Sequence, residues 1–157
     1  MILKGIIDTD TINYKKISMV LEFPYCNFKC DRECGMQVCQ NNSLASAPNI
    51  RISAIDIYLK YKDNPLTQAI VCQGLEPFDS IGELYSFIKG FRLICNDDIV
   101  IYTGYTEEEI YPYLDFFKPF KNIIVKFGRF IPNDTSHYDE VLGVNLASSN
   151  QYAKRIC

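Results

Sequence analysis

The chain has 157 residues, 48% hydrophobic and 22% charged, which is enough to bury one globular core without disulfide bridges. A formal net charge of −3 gives no broad basic surface, so we expect no nucleic-acid partner. No apolar run approaches the ~20 residues of a bilayer span, and residues 1–5 do not open a signal peptide. We therefore expect a cytoplasmic protein with no membrane association.

Short apolar runs alternate with helical patterns along the chain, which predicts a single α/β domain over residues 1–157. In chain order we predict a strand at 17–23, a helix at 53–62, a strand at 69–73, a helix from about 80 to 91, a strand at 99–102, a helix from 106 to about 117 and a strand at 122–127. The strands are continuously apolar, which is typical of a mostly parallel sheet covered on both faces.

Helix starts are marked by capping residues. Ser53 is the predicted N-cap of the first helix, whose apolar face is expected at Ile55, Tyr58 and Leu59. Capping boxes are predicted at Ser80-x-x-Glu83 for the second helix and at Thr106-x-x-Glu109 for the third.

Three unusual loops follow the first three predicted strands, at residues 26–39, 73–77 and 103–105. Ligands of parallel sheets bind at the carboxyl ends of the strands, and connections between the strands are right-handed. Topology alone therefore predicts that the three loops meet at one site.

The first of these loops carries four of the seven cysteines, at Cys26, Cys30, Cys34 and Cys39. Thiols stay reduced in the cytoplasm, so we interpret these residues as metal ligands rather than as disulfides. Thiolates select zinc or iron–sulfur clusters, but the loop lacks the paired C-x-x-C of closed zinc sites, and the only histidine, His137, is distant. An iron–sulfur cluster fits better, held by four thiolates or by three with one iron left open.

Four motifs occur in an order that resembles a known family: the cysteine loop, Gly74-Leu75-Glu76-Pro77, Ile101-Tyr102-Thr103-Gly104-Tyr105 and Ser148-Ser149-Asn150-Gln151. Together they look like the small radical SAM activating enzymes, and above all the activating protein of anaerobic ribonucleoside-triphosphate reductase. The resemblance runs from about residue 17 to residue 151.

That resemblance implies a fold, a cofactor and partners. The fold would be an open partial (β/α) barrel with flanking helices, and three thiolates would hold a [4Fe–4S] cluster that reductively cleaves S-adenosylmethionine. The resulting 5′-deoxyadenosyl radical would generate a glycyl radical on anaerobic ribonucleotide reductase or another glycyl radical enzyme. An electron donor such as flavodoxin or ferredoxin would supply the reducing equivalent.

The third thiolate is where this chain departs from the family pattern, because no cysteine lies three residues beyond Cys30. Cys34 is the nearer candidate. Cys39 is followed by Gln40-Asn41, as the third family cysteine usually is, which favours Cys26, Cys30 and Cys39 as the ligands. Residues 31–37 are then an insertion in a loop, where extra length is well tolerated.

The resemblance also implies a set of residues around S-adenosylmethionine: Asn41, Gly74, Leu75, Glu76, Thr103 and Gly104. Backbone groups of the 74–76 turn would hold the methionine amine, and we expect Gly74 to let the backbone approach that ligand closely. Leu75 stands where the family has glycine. Asn41 would either brace the cysteine loop or touch the cofactor.

Two other functions are compatible with the same residues. The chain resembles radical SAM enzymes generally, so its substrate could be another protein or a small molecule. A non-catalytic iron–sulfur module would use all of Cys26, Cys30, Cys34 and Cys39, and would leave no iron open.

Overall fold

The structure is a computed structural model that describes residues 1–157. There are ten strands: β1 (Ile2–Leu3), β2 (Gly5–Asp10), β3 (Ser18–Phe23), β4 (Ile50–Arg51), β5 (Ala69–Gly74), β6 (Asp98–Tyr102), β7 (Ile123–Phe127), β8 (His137–Asp139), β9 (Val144–Leu146) and β10 (Tyr152–Arg155). There are five α-helices: α1 (Lys29–Cys34), α2 (Asn42–Ser46), α3 (Ala54–Asp63), α4 (Ile81–Phe91) and α5 (Glu107–Leu114). Single 3₁₀ turns at Pro77–Ser80 and Asp115–Phe117 lead into α4 and extend α5.

Six strands form one mixed sheet in the order β10-β7-β6-β5-β3-β2. The four inner strands, β3, β5, β6 and β7, are parallel, whereas β2 and β10 pair antiparallel at the two edges. This confirms an α/β domain with a mostly parallel sheet. The sheet has two free edges and is open.

The two faces of the sheet are covered differently. One face buries the larger core against α3, α4 and α5, with helical residues such as Ile57, Leu84, Phe91 and Ile110. The other face carries a smaller cluster in which Tyr14 comes from the loop before β3 and the rest of the cover comes from the chain beyond β7. Helices therefore flank only one face, and irregular chain with short strands closes the other.

The four predicted strands are confirmed to within about one residue at each end, because all are runs of buried apolar side chains. The prediction missed β2 and β10, which lie at the edges and carry many polar residues, and it missed the two-residue strands β1 and β4 and the short hairpin β8–β9. No helix in the structure has both the length and the apolar character needed to cross a membrane.

The predicted apolar face of α3 is wrong at Ile55 and Leu59, whereas Tyr58 packs against the core as predicted. Ile55 and Leu59 are 67% and 56% exposed, whereas Ile57 and Tyr61 are buried in the core. The helix carries a second apolar stripe, Ile57 and Tyr61, and this is the stripe that packs into the core. Tyr58 lies beside it, and its hydroxyl donates to the Phe87 carbonyl of α4 at 2.8 Å. The Ser53 cap is confirmed, since its Oγ accepts from the Asp56 amide at 3.0 Å.

The two predicted capping boxes have different outcomes. Thr106 and Glu109 form both bonds of the box at the start of α5. The box at Ser80 and Glu83 is wrong, because α4 is entered through a 3₁₀ turn and the buried Ser80 Oγ has no partner. The carboxylate of Glu83 instead accepts from the Ile2 amide at 3.4 Å.

Gly74 is required by the pairing of β5 with β3. Its φ is +95°, and a Cβ there would lie 2.7 Å from the Phe23 nitrogen and 2.8 Å from the Glu22 Cα. The close approach that the structure shows at Gly74 is therefore to the neighbouring strand.

We expect Gly74→Ala to lower the free energy of unfolding by roughly 2–4 kcal/mol, through backbone strain and the clash with β3. The matched control is Gly82→Ala, because a Cβ at this helical position meets nothing within 4 Å. That control should leave stability unchanged or raise it by up to about 1 kcal/mol. Equal urea midpoints for the two variants would contradict this account of Gly74.

Candidate functional site

A cavity of about 370 Å³ opens at the carboxyl ends of the parallel strands. Its size lies within the range of pockets that hold small-molecule ligands. It is lined by the cysteine loop, by the turns after β5 and β6, and by residues 144–147 of the chain beyond β7.

The structure places three of the four clustered cysteines on this cavity. Cys26 follows β3, Cys30 lies in α1, and Cys39 lies in the loop between α1 and α2. Cys34, the last residue of α1, is exposed to solvent and does not line the cavity.

Burial favours the protonated form of two of these thiols, Cys26 and Cys30. Burial raises the pKa of Cys26 to about 12, although its Sγ accepts a hydrogen bond from the Phe28 amide at 3.2 Å. Burial, followed by the adjacent Cys39 thiol, raises the pKa of Cys30 to about 11. Because thiolates are the metal-binding form, loading this site releases protons.

The start of the cysteine loop is anchored to the two neighbouring strand ends. The Asn27 amide donates to an Asp79 carboxylate oxygen at 2.9 Å, and the Asn27 side chain donates to the Tyr105 hydroxyl at 2.6 Å. Tyr105 in turn donates to Asp79 at 2.7 Å. These bonds fix the backbone just before Phe28. Phe28 has a left-handed φ of 52°, and this conformation directs the chain into α1.

Ion pairs then tie α1 to the rest of the site. Arg129, after β7, pairs with Glu109 of α5 at 2.6 Å and with Glu33 of α1 at 3.3 Å. Lys29 of α1 pairs with the same Glu109. Burial of Glu109 opposes its ionisation, but the bonds to Arg129 and Lys29 prevail and lower its pKa to about 2.

The turn after β5 is held by its own backbone. The amides of Leu75 and Glu76 donate to the carbonyls of Phe23 and Tyr25 at 3.1 and 2.7 Å. Leu75 does not have a positive φ, so its replacement of a glycine carries no backbone strain. Asn41 lines the cavity and also donates to the Gly74 carbonyl at 2.6 Å, which braces the cysteine loop against this turn.

The Glu76 side chain links the turns after β5 and β6. Its oxygens accept from the Thr103 hydroxyl at 2.8 Å, the Gly104 amide at 2.9 Å and the Phe78 amide at 3.1 Å. Burial raises the pKa of this carboxyl to about 7, and the three donors oppose that rise. Glu76, Thr103 and Gly104 thus form one hydrogen-bonded unit in the cavity lining.

Lys126 is a cavity residue that the sequence analysis missed. Its side chain is buried, its ammonium donates to the Gly128 carbonyl at 2.9 Å, and it forms no ion pair. Burial lowers its pKa to about 8. The signal was present in the sequence, since Lys126 is the one charged residue in the apolar run of β7.

The residues predicted to form the site are brought together. The cavity is lined by Cys26, Cys30, Cys39, Asn41, Gly74, Leu75, Glu76, Thr103 and Gly104. Gln151, from the last predicted motif, also lines it and accepts from the Ala147 and Ser148 amides at 3.1 and 3.2 Å. These bonds position the part of the cavity lining around Ala147.

Comparison with known proteins identifies the kind of domain. Residues 17–151 match the family described as the 4Fe-4S single cluster domain. The chain belongs to that family. No curated protein and no solved structure matches it.

The donors present suit the cluster of a 4Fe-4S single cluster domain, because such clusters are held by cysteine thiolates and three thiols share one cavity. The three thiols line the same cavity but are not spaced to bind one metal ion together, so it is the chemistry of the donors that fits the cluster. A domain that holds a 4Fe-4S cluster is suited to redox chemistry in general.

The buried ammonium predicts an unusual effect on stability. A lysine whose pKa is lowered from 10.5 to about 8 destabilises the folded chain fully below pH 8, and this penalty fades as pH rises towards 10.5. We expect Lys126→Met to raise the unfolding free energy at pH 7 by roughly 3 kcal/mol, and the gain to vanish above pH 10.5.

The matched control is Lys121→Met, at an exposed loop position before β7, which should change stability by less than about 0.5 kcal/mol. Urea unfolding of the two variants from pH 7 to 10.5 measures both effects. A Lys126→Met protein that is less stable than the parent at pH 7 would show that the ammonium is satisfied where it lies.

Proposed function

We propose that this protein is a radical SAM activating enzyme, in which Cys26, Cys30 and Cys39 hold a [4Fe–4S] cluster. The observation that carries the proposal is the composition of the cavity wall. Three thiols reach it and a fourth does not, so one iron would remain open to a substrate. Four motifs that resemble this enzyme class contribute residues to the same cavity.

When bound, the cluster would supply one electron to the sulfonium of S-adenosylmethionine, breaking the bond to C5′ and giving methionine and a 5′-deoxyadenosyl radical. An external donor such as flavodoxin or ferredoxin would replace that electron. The contribution of the chain is to bind and orient the substrate and to exclude water.

Charge in the cavity supports S-adenosylmethionine as the ligand. The ammonium of Lys126 has no ion-pair partner and is complementary in charge to the methionine carboxylate, and a buried charge without a counter-charge is costly. The backbone carbonyls of the turn at Gly74 and Leu75 supply acceptors for the methionine amine. Asn41 and Glu76 keep that turn and its neighbour rigid.

The open sheet is consistent with the proposed reaction partner. In this proposal the six strands correspond to an open partial barrel, which is too small to enclose a substrate as the ~250-residue closed barrels do. A radical delivered to a buried glycine requires a docked protein, and we propose anaerobic ribonucleotide reductase or another glycyl radical enzyme. The radical would remove the Cα hydrogen, leaving 5′-deoxyadenosine and a glycyl radical.

Co-incubation with the reductase, S-adenosylmethionine and a reductant should therefore give a glycyl radical signal in electron paramagnetic resonance. If 5′-deoxyadenosine forms and no glycyl radical appears, the enzyme acts on another protein or on a small molecule.

A second candidate function is a non-catalytic iron–sulfur module with four thiolate ligands. Cys34 lies four residues after Cys30 in α1, so the two side chains project from the same face of the helix. A modest movement of this exposed helix end would add a fourth ligand and close the cluster to substrates.

Single cysteine variants separate the two functions. We expect Cys39→Ala to lose the cluster signal that responds to S-adenosylmethionine, because the variant leaves two cavity thiols. Cys34→Ala, the matched control in the same loop, should keep that response. Electron paramagnetic resonance of the reduced, reconstituted proteins with and without S-adenosylmethionine measures both. Loss of the cluster in both variants indicates a four-cysteine site, and the reverse pattern assigns the third ligand to Cys34.

A further inference from the structure

The chain between Cys30 and Cys39 contributes no residue to the apolar core, although Val38 is half-buried. Residues 32–37 are all exposed, including Met36 at 63% exposure, and α1 ends in this segment at Cys34 and is followed by Gly35, whose φ is +67°. Packing into the core therefore does not explain why the chain returns to the cavity after residue 37. Cys39 nevertheless lies beside Cys30.

The return is closed by one carboxylate. The Oδ1 of Asp31 accepts hydrogen bonds from the Val38 amide at 2.8 Å and from the Cys39 amide at 2.7 Å. Its Oδ2 accepts from the Asn42 side chain at 3.3 Å. Because Asp31 directly follows Cys30, this single side chain joins the backbones of two cavity cysteines.

Asn42 fixes the other backbone polar group of Cys39, its carbonyl. Its side-chain amide donates to the Cys39 carbonyl at 3.1 Å while it also donates to Asp31. The amide and the carbonyl of Cys39 are thus both hydrogen-bonded to side chains, the amide to Asp31 and the carbonyl to Asn42. The bonds to the carboxylate are charge-assisted, and such bonds are about twice as strong as neutral ones.

No comparable bonds act on the competing thiol. Cys34 lies at the solvent-exposed end of α1, and its position is determined only by the helix. The contrast concerns geometry: one cysteine is fixed beside Cys30 by a carboxylate, and the other is left outside.

We propose that Asp31 is a positioning residue that selects Cys39 over Cys34 as the third thiol of the site. The proposal rests on the ligand set given in the proposed function. Asp31 acts through the backbone of Cys39 and touches neither cluster nor substrate.

The test compares reconstituted Asp31→Ala and Asp31→Asn with the parent protein. Asp31→Ala removes both acceptors, and we expect its cluster to be lost to a chelator about tenfold faster, with a weaker response to S-adenosylmethionine. Asp31→Asn keeps an acceptor oxygen for the two amides and should recover most of that response. Asp63→Ala, which removes an exposed carboxylate at the end of α3, is the control and should match the parent.

A double variant makes the selection itself measurable. If Cys34 takes over when Asp31 is removed, Cys34→Ala should cost little in the parent but should abolish the residual cluster of Asp31→Ala. Iron content per chain and the paramagnetic signal report this, and circular dichroism verifies that each variant is folded.

Two results would overturn the proposal, and they are distinguishable. If Asp31→Ala matches the parent in cluster lifetime and response while Cys39→Ala loses both, the proposed function stands and Asp31 has no positioning role. If Cys39→Ala keeps a responsive cluster, the ligand assignment fails and the role of Asp31 fails with it.

Discussion

The site depends on the pairing of β3 with β5 up to their last residues. The two strands run parallel in register from Ser18 and Ala69 to Phe23 and Gly74, and Gly74 allows the backbones to approach closely at that end. The cysteine loop leaves β3 there, and the cavity turn leaves β5. Backbone bonds from residues 75 and 76 to residues 23 and 25 continue the pairing beyond the sheet, so the loop and the turn cannot move independently.

The cavity places two ionisable groups where burial opposes their charge. Glu76 keeps its place through three donors, which fix the two turns to each other. Lys126 has one carbonyl partner, and its ammonium remains short of acceptors. A ligand that binds only the folded state stabilises it, by an amount that grows with the logarithm of the ligand concentration once this exceeds Kd. An anionic ligand would therefore offset an instability that the ligand-free chain carries, and such destabilised groups are frequent at functional sites.

The sequence was sufficient for the inner strands and for the meeting point of the loops, because continuous apolar runs and parallel topology determine both. It was insufficient where tertiary contacts choose between local alternatives. The docked stripe of α3 is Ile57 and Tyr61 because of the position of α4, which no periodicity reveals. The bonds of Asp31 to the Cys39 backbone and the burial of Lys126 likewise follow from the folded arrangement and not from a local sequence pattern. A lysine inside an apolar strand was nevertheless a visible signal.

The central claim is that an iron left open by three thiolates reduces S-adenosylmethionine in this cavity. Anaerobic reconstitution with iron and sulfide, addition of a strong reductant and S-adenosylmethionine, and chromatographic assay of 5′-deoxyadenosine test it most directly. The account predicts 5′-deoxyadenosine and methionine in equal amounts, and only when the cluster and reductant are both present. A reconstituted, fully reduced cluster that forms no 5′-deoxyadenosine above the cluster-free background would contradict it.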